Sequence, residues 1–210
     1  DHFYCAEQEL FEMFTLKVLQ GNPREMLSNP ADVVLTRSMA EKYFGRIDVT
    51  GEKLALRSGN DRHILDVTGV IEDLPVHSSF QPDFLGSVEL YLELIVQTGM
   101  LGNSKGLTAD MLRSSWDTDL FLTFLQVREG FRQQEFENKL REMKKQVLEE
   151  PEKKGYYLQP MKDMYFYSGD LITSFTQRGD LKQVWVFGLV ALLILLVACI
   201  NYILLASSQA

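Results

Sequence analysis

The sequence predicts an α+β fold that is followed by one transmembrane α-helix. Two observations lead to this class. Segments with the patterns of short strands and short helices alternate through the first 183 residues, and short loops join most of them. The second observation is an apolar run near the C-terminal end, from Val184 to Ala206, which contains no charged residue.

The apolar run is long enough to cross a bilayer. As a helix, its 23 residues extend about 34 Å, compared with a hydrocarbon core of about 30 Å. Trp185 and Phe187 lie at one end and Tyr202 lies near the other, where aromatic rings favour the headgroup region. A buried core helix is the alternative, but such helices are usually shorter and keep a partly polar side. We therefore predict a transmembrane helix at residues 184–206.

The chain begins with a helix and two strands. Residues 9–20 have the pattern of a short helix that runs into a strand. Gly21-Asn22-Pro23 is a turn composition and ends this strand. Residues 31–35 (ADVVL) are rich in β-branched and aliphatic side chains, which predicts the next strand.

Residues 36–44 carry both a start and a stop signal for a helix. Thr36 or Ser38 is the predicted N-cap, and Glu41, three residues after Ser38, completes a capping box. Gly45 follows the last helical residue, where a left-handed backbone ends many helices. These signals predict a short, well-defined helix.

Residues 53–57 and 62–72 predict two strands that residues 58–61 connect through a turn. In the second strand, alternation places three apolar residues on one face and Asp66 and Thr68 on the other. The three apolar residues are Leu65, Val67 and Ile71.

The rest of the soluble part predicts three more strands and one long helix. Strands are expected at residues 84–91, at residues 118–127, which have the strongest strand pattern in the chain, and at residues 156–167. Residues 97–115 are rich in Gly, Ser and Asn and predict a loop. Residues 132–148 predict a helix that ends before a proline. Its apolar face consists of Phe136, Leu140, Met143 and Val147.

The charge of the chain excludes some classes of partner. No charged residue follows position 183, so the net charge of −8 belongs to the preceding residues. An acidic protein without a basic patch is not expected to bind nucleic acid or to adhere to anionic lipid through charge. Cys5 and Cys199 are not expected to pair, since one lies in the soluble part and the other lies in the membrane run.

No pattern in the sequence predicts an active site or a metal site. His2, His63 and His77 are far apart in sequence and have no cysteine close by, which argues against zinc. Residues 99–108 resemble a phosphate-binding loop only superficially, because the Gly-Lys-Ser/Thr order is absent. There is no Gly-x-Ser-x-Gly elbow, and the carboxylate pair Glu149-Glu150 lies at a predicted helix end. We therefore predict no catalytic, cofactor-binding or metal-binding residue.

Two features leave alternatives open. Asn201 lies inside the membrane run and either has a function of its own or forms a hydrogen bond with a neighbouring helix, and we favour the helix contact. An aromatic cluster forms either a ligand surface or part of the packing of a small sheet, and we favour packing. The members of that cluster are Tyr156, Tyr157, Tyr165, Phe166 and Tyr167.

A series of short motifs follows in order along the chain. The motifs are FEMF (11–14), LQG (19–21), VVLT (33–36), MAEKYFG (39–45), TGEKL (50–54), VTGVIEDLP (67–75), FENKL (136–140), LQPM (158–161) and ACINY (198–202). In this order they resemble the extracytoplasmic domain of the MacB/FtsX-type ABC transporter permeases, in the form typical of Bacteroidetes-like bacteria. The match covers nearly the whole chain and depends on the order of the motifs rather than on any one of them.

The resemblance implies a two-lobed extracytoplasmic domain, with an α/β lobe and a small β-rich insert. Residues 1–19 would end the first half of the α/β lobe, and residues 20–80 would form the insert. Residues 81–183 would form the second half and the membrane-proximal segment, before the transmembrane helix at residues 184–206. The first half of the α/β lobe and a first membrane helix would then precede Asp1, and we also expect the chain to continue after Ala210.

The resemblance also implies a function. The permease would transmit the motion of a cytoplasmic ABC ATPase across the bacterial inner membrane, to export or extract a substrate from the periplasmic side. It would not be an enzyme, because the separate ATPase hydrolyses ATP. Implied partners are that ATPase, a second permease copy in a dimer, the lipid bilayer and, in some systems, a periplasmic adaptor. Residues 1–183 would lie in the periplasm.

Two other functions fit the same anchored layout. One is the extracytoplasmic sensor domain of a membrane signalling receptor. The other is an FtsX-like regulator of cell-wall hydrolases, which differs from the transporter in its partner rather than in its fold. Further hydrophobic spans after Ala210 would favour a permease, whereas a juxtamembrane coil and a kinase would favour the sensor.

Overall fold

A computed structural model gives the structure of the chain. It describes residues 1–59, 61–78, 80–101, 106–116, 120–148, 156, 158–167 and 179–208. The chain divides into two compact units, residues 1–158 and residues 159–210. The first unit contains the sheet, and the second contains the long apolar helix.

The described part of the first unit forms a mixed sheet with helices between its strands. The strands are β1 (Phe3–Ala6), β2 (Val18–Gln20), β3 (Asp32–Thr36), β4 (Lys53–Ser58), β5 (Asp61–Ile71) and β6 (Phe84–Ser87). The helices are α1 (Leu10–Met13), α2 (Arg37–Phe44), α3 (Val88–Thr98), α4 (Ala109–Ser114) and α5 (Gln133–Val147). These elements confirm the predicted fold class.

The sheet order is β1-β6-β3-β5-β2, and β4 also pairs with β5. The β1–β6 and β3–β5 pairs are parallel, whereas β6 runs antiparallel to β3 and both β2 and β4 run antiparallel to β5. Strands from residues 20–80 therefore pair directly with strands outside that range. The division into lobes at residues 20 and 80 stays a prediction.

The central strand β3 is buried on both of its faces. Val33 and Leu35 point into one apolar cluster together with Ala40 of α2, and Val34 points into a second cluster with Met26. Since neighbouring side chains of a strand point to opposite faces, the two clusters lie on opposite sides of the sheet. A strand covered on both faces needs a continuous apolar run, which explains the sequence DVVLT.

A β-bulge in β5 changes the predicted alternation of that strand. The pairing of β3 with β5 shifts between Val33 and Val34, so that Thr68 has no partner residue in the ladder. The Thr68 hydroxyl donates hydrogen bonds to the carbonyl oxygens of Met26 at 2.6 Å and Val33 at 3.2 Å. The prediction that Ile71 shares a face with Leu65 and Val67 is wrong, because the bulge moves Ile71 into the cluster on the other side.

Helix α2 confirms the predicted helix but not its capping box. Thr36 is the N-cap residue, yet its side chain makes no capping bond, and its hydroxyl donates to the carbonyl oxygen of Asp83 at 3.4 Å. The carboxylate of Asp73 instead accepts from the Ser38 backbone N–H at 3.3 Å and from the Ser38 hydroxyl at 2.9 Å. The cap is thus supplied by a residue that lies 35 positions away in the sequence. Gly45 ends the helix in the left-handed conformation, as predicted.

The strand predicted at residues 84–91 is half as long as expected. Strand β6 ends at Ser87, and α3 begins at the next residue. The Ser87 hydroxyl accepts a hydrogen bond from the N–H of Leu90 at 3.1 Å and donates to the carbonyl oxygen of Pro30 at 3.3 Å. Ser87 is therefore an N-cap that also fixes the start of α3 to the sheet. A serine at this position is the local sequence signal for the boundary between β6 and α3.

Two other predictions in the second half of the first unit also need correction. The predicted loop at residues 97–115 contains α4, which Thr108 caps by accepting from the N–H of Met111 at 3.2 Å. Residues 120–127 of the predicted strand at 118–127 form no strand, and positions 118–119 lie outside the described residues. A strand requires a neighbour that accepts and donates its backbone hydrogen bonds, and no ladder forms here within the described residues. Helix α5 confirms the predicted helix at residues 132–148.

The described part of the second unit contains two short helical segments and one long helix. A turn of 3₁₀ helix (Met161–Asp163) continues into α6 (Met164–Tyr167), and the long helix α7 spans Leu181–Ser208. The strand predicted at residues 156–167 is therefore wrong over residues 161–167. Pro160 is the N-cap of the first turn, and a proline suits the start of a helix because its fixed φ is close to the helical value.

Candidate functional site

The feature with the clearest functional meaning is α7. Its 28 residues extend about 42 Å as a helix, which exceeds the thickness of a hydrocarbon core. Its most apolar part has a mean hydropathy of 2.9, and none of that part is buried against other residues of the chain. By length and composition, this helix is able to cross a membrane, in agreement with the predicted span at residues 184–206.

The two ends of α7 differ from its middle. At the start, the Asp180 carboxylate accepts a hydrogen bond from the backbone N–H of Lys182 at 2.8 Å, which satisfies one of the free N–H groups of the first turn. Trp185 and Phe187 project from the next turn and are 78% and 71% exposed. Tyr202 projects from the other end and is equally open. Amphipathic rings at both ends are typical of helices that cross a bilayer.

Asn201 is the strongly polar side chain within the apolar run. The nearby hydroxyls of Ser207 and Ser208 donate to carbonyl oxygens of the same helix, at 2.7 and 2.9 Å. Within the described residues, the Asn201 amide has no hydrogen-bond partner.

The predicted aromatic cluster is divided between the two units. Tyr156 lies in the first unit and packs edge-on against Trp116, whose carbonyl oxygen accepts its hydroxyl proton at 2.5 Å. Tyr165 and Phe166 lie on α6 in the second unit, with their rings 4.7 Å apart. The favoured interpretation, packing within a small sheet, is wrong for these three residues, since none of them lies in a strand. Tyr157 and the side chain of Tyr167 lie outside the described residues.

The three histidines are distributed over separate parts of the first unit. His2 lies near Asp83, with Nδ1 3.7 Å from the carboxylate, His63 lies on β5, and His77 lies in a turn. Among the described residues, no group of three His, Cys, Asp or Glu side chains has a geometry able to hold a metal ion. The positions of the three histidines therefore suggest no metal site within the described residues.

Cys5 on β1 is a poor nucleophile. Burial raises the pKa of its thiol to about 12, because the thiolate would lose its hydration. The neighbouring phenol of Tyr91 also has a raised pKa, first because of burial and second because of Cys5. A thiol that stays protonated at neutral pH packs as a small apolar group.

A shallow depression lies between α2, β4 and the β1–β6 edge of the sheet. Its volume is about 190 Å³, and Phe3, Tyr43, Leu54 and Phe84 contribute to its wall. Pockets for cofactors and drug-sized ligands usually have a volume of about 300–1,000 Å³. The depression is thus small for such a ligand.

Comparison with protein families gives the assignment. Residues 3–143 match the model of the MacB-like periplasmic core domain. The chain belongs to this family. The resemblance drawn from the short motifs is thereby confirmed, and the chain is a MacB-like periplasmic domain of the ABC permease type. Together with α7, this membership indicates a membrane-anchored protein.

Solved structures agree with the fold. The chain is similar to a domain assigned to a permease protein from Porphyromonas gingivalis, with a TM-score of 0.53 and 23% identity. The alignment covers 70% of this chain and 54% of that domain, so the chain spans about half of its length. The source of that domain fits the Bacteroidetes-like form that the motifs predict.

A second solved structure is more distant. The periplasmic region of MacB from Actinobacillus actinomycetemcomitans aligns with a TM-score of 0.33 and 18% identity, over 43% of this chain and 39% of that one. This similarity is too low to bear on the fold. No curated protein matches the chain.

Proposed function

We propose that this chain is the periplasmic and membrane-anchoring part of an ABC transporter permease subunit. It transmits ATPase-driven motion through the membrane to a substrate on the periplasmic side. The observation that carries the proposal is the presence, in one chain, of a MacB-like periplasmic core domain and an apolar helix long enough to cross a bilayer.

The packing of the sheet supports a mechanical role. A sheet that transmits motion to other parts of its domain has to move as a body, which requires a core that does not deform under load. Strand β3 is buried on both faces, and Leu35 and Val34 have no exposed surface. Interiors packed in this way have low compressibility and transmit strain.

Ion pairs at the carboxyl end of β5 support the same role. The Glu72 carboxylate lies 3.2 Å from Lys17 Nζ and 3.1 Å from Arg37 Nε. It thus links the segment before β2 to helix α2. The adjacent Asp73 binds the first turn of α2, as described above. The Arg37 guanidinium and the Glu72 carboxylate are only partly exposed, so solvent screens the pair less than it would a surface pair.

The proposal includes an arrangement in the cell. Residues 1–183 lie in the periplasm and α7 crosses the inner membrane. A separate cytoplasmic ATPase hydrolyses ATP, a second permease copy completes a dimer, and a periplasmic adaptor joins some of these assemblies. The division of the periplasmic part into residues 1–19, 20–80 and 81–183 belongs to the same proposal, with the middle range as a β-rich insert.

Distance measurements between two labels test the transmission of motion. One label is placed at Ile64, an exposed position of β5, and the other at Gln134, an exposed position of α5, in a Cys199→Ala protein with its partner ATPase in membranes. The distance between Ile64 and Gln134 is expected to change between the nucleotide-free state and a state trapped with ATP. A pair at Ile64 and Ile47 is the control, and its distance is expected to stay constant. An unchanged distance between Ile64 and Gln134 would refute the proposed transmission.

A further inference from the structure

Two aromatic side chains of α6, Tyr165 and Phe166, lie directly before the start of α7, and we call them the aromatic pair. The backbone N–H of Gly179, two residues before α7, donates a hydrogen bond to the carbonyl oxygen of Tyr165 at 2.9 Å. A Cβ at Gly179 would clash with the ring of Tyr165 and would lie 2.9 Å from Cε1 of Phe166. The contact therefore requires a glycine, and it fixes α6 to the residues that lead into the long helix.

The aromatic pair keeps much of its surface open after this contact. The two rings lie edge to face, with their centroids 4.7 Å apart. Tyr165 is 43% exposed and Phe166 is 39% exposed. Met161, one turn earlier in the same helical segment, is 60% exposed. Large apolar side chains that are exposed close to one another mark a contact surface.

The position of Gly179 sets the height of the aromatic pair relative to a bilayer. The helical hydrogen-bond pattern starts at Asp180, whose carbonyl oxygen accepts from the N–H of Val184 at 3.3 Å. The uncharged run begins at Val184, five residues after Gly179, and five residues rise about 7.5 Å along a helix. The headgroup region on each side of the hydrocarbon core is about 5–8 Å thick. When the uncharged run spans the core, the aromatic pair is therefore at the level of the headgroups.

The chemistry of the surface fits lipid through its rings and not through charge. The charged residues beside the pair and at the start of α7 are Lys162, Asp163, Asp180 and Lys182. Two positive and two negative charges balance, so they give no net attraction to anionic lipid. Aromatic rings favour the headgroup region of any lipid, because it has both apolar and polar neighbours to offer them.

We propose that the aromatic pair is a second membrane contact of this chain, in which Tyr165 and Phe166 insert among the lipid headgroups beside the start of α7. The partner is the surface of the same bilayer that α7 crosses. Trp185, six residues after Gly179, places a further ring in the same leaflet. Together these rings fix the depth of α7, because a displacement of the helix along the membrane normal moves them out of the headgroup region. The proposal rests on the membrane-anchoring part of the proposed function and requires neither an ATPase nor a dimer.

Tryptophan fluorescence in lipid vesicles tests this contact. The full chain carries Trp116→Phe and Trp185→Phe and receives one tryptophan, as Phe166→Trp or as Val76→Trp. Val76 is the matched control, since it is an apolar side chain in a turn of the first unit and is 80% exposed. The vesicles are phosphatidylcholine with a fraction of phosphatidylcholine that carries a nitroxide on its headgroup.

The nitroxide is expected to quench Phe166→Trp at least about threefold more strongly than Val76→Trp, because only the first ring lies among headgroups. Acrylamide, which quenches from the water, is expected to act on Phe166→Trp about threefold more weakly than on Val76→Trp. Tyr165→Trp gives a second reading of the same surface if Phe166→Trp does not fold.

Two glycine variants test the attachment of the aromatic pair to α7. Gly179→Ala is expected to displace the rings and to lower the nitroxide quenching of Phe166→Trp at least about twofold, because the added methyl group clashes with Tyr165. Gly188→Ala is the matched control within α7, since nothing lies within 4 Å of its added Cβ, and it is expected to leave the quenching unchanged. Equal quenching in both variants would contradict the attachment at Gly179.

A chain that keeps Trp185 as its single tryptophan separates the possible failures. Quenching of Trp185 by the nitroxide without quenching of Phe166→Trp would overturn the surface contact and leave the span of α7 intact. Protection of Phe166→Trp from acrylamide without nitroxide quenching would also overturn it, because protein rather than lipid would then cover the ring. No quenching of Trp185 would overturn both the span and the contact. The distance between labels at Ile64 and Gln134 tests the transmission of motion independently.

Discussion

Residues 32–36 and residues 120–127 have similar compositions but very different surroundings. The first segment, DVVLT, is strand β3, which pairs with β5 on one side and with β6 on the other. The second, LFLTFLQV, forms no ladder within the described residues, and Leu125 and Val127 are about half exposed, at 51% and 50%. The side chains of residues 120–127 that are buried do not pack within a sheet. Phe124, for example, packs edge-on against Phe14, the residue that follows α1.

The difference shows that a strand is a property of a pair of segments rather than of one. Apolar and β-branched side chains make both segments suitable for a sheet. Strand β3 also has partners that satisfy its backbone on both sides, and helix α2 and the segment around Met26 cover its faces. Composition alone does not supply those neighbours.

Truncating one leucine in each segment gives the largest expected contrast. Leu35→Ala removes a fully buried side chain from β3 and is expected to lower the free energy of unfolding of the sheet unit by about 3–4 kcal/mol. Leu125→Ala removes the same atoms from an exposed position and is expected to change it by less than about 1 kcal/mol. Pulse proteolysis in urea, with the full chain in detergent, measures both values. Equal losses would contradict the proposed difference in burial between the two regions.

Two glycines sharpen the comparison within the sheet region. Gly21 has a φ of +96°, and a Cβ at this position would clash with the carbonyl oxygen of Thr68. Gly21→Ala therefore combines backbone strain with a clash against the bulge of β5, and we expect a loss of about 3 kcal/mol. Gly45 also has a positive φ, of +70°, but nothing lies within 4 Å of its added Cβ. Gly45→Ala is expected to cost about 1 kcal/mol, from strain alone.

The same unfolding assay checks this pair of glycine variants. If Gly45→Ala is as destabilising as Gly21→Ala, the clash with Thr68 contributes nothing, and the bulge tolerates an added methyl group. A larger loss for Gly21→Ala would show that the turn after β2 fits closely against β5.

Cys5 gives the smallest effect on stability at neutral pH and the clearest dependence on pH. Burial raises the pKa of its thiol from 9.0 to about 12, whereas the unfolded chain has the ordinary value. Between these two values the unfolded state binds fewer protons than the folded state, so stability falls as the pH rises from 9 towards 12. Near neutral pH both states are protonated and no effect is expected.

The rate of alkylation measures the same shift directly. In a Cys199→Ala protein at pH 8, iodoacetamide is expected to modify Cys5 on the order of a thousandfold more slowly than it modifies the chain in denaturant, because the thiolate is rarer by that factor. Cys5→Ala is the control for stability and should remove its part of the decline above pH 9. Rapid modification of the folded chain would indicate that β1 is open to solvent.

Local signals in the sequence predicted about half of the first unit well. The helix at residues 37–44, the hairpin of β4 and β5, and the helix at residues 133–147 all follow from caps, turn residues and periodicity. These elements are determined by residues close to one another in the chain. The end of β6 was missed, although Ser87 and the acidic residue two positions later mark the start of α3.

Two of the other errors have a common cause, because each depends on a distant residue. Asp73 replaces the predicted capping box of α2, and the bond from Thr68 to Met26 accompanies the bulge that moves Ile71 to the other face. Neither contact has a local pattern. The sequence predicts no catalytic or metal-binding residue for a different reason, because none of its motifs brings reactive side chains together.

The sequence by itself determined the fold class, the family and the helix that is long and apolar enough to cross a membrane. A run of 23 uncharged residues is visible in the sequence alone, and the hydrocarbon core of a bilayer sets the length that a crossing helix needs. Only the tertiary structure decided which apolar segments became strands, which face each side chain occupies and where α2 receives its cap. Those outcomes depend on backbone hydrogen bonds and packing between residues far apart in the chain, and no local pattern contains that information.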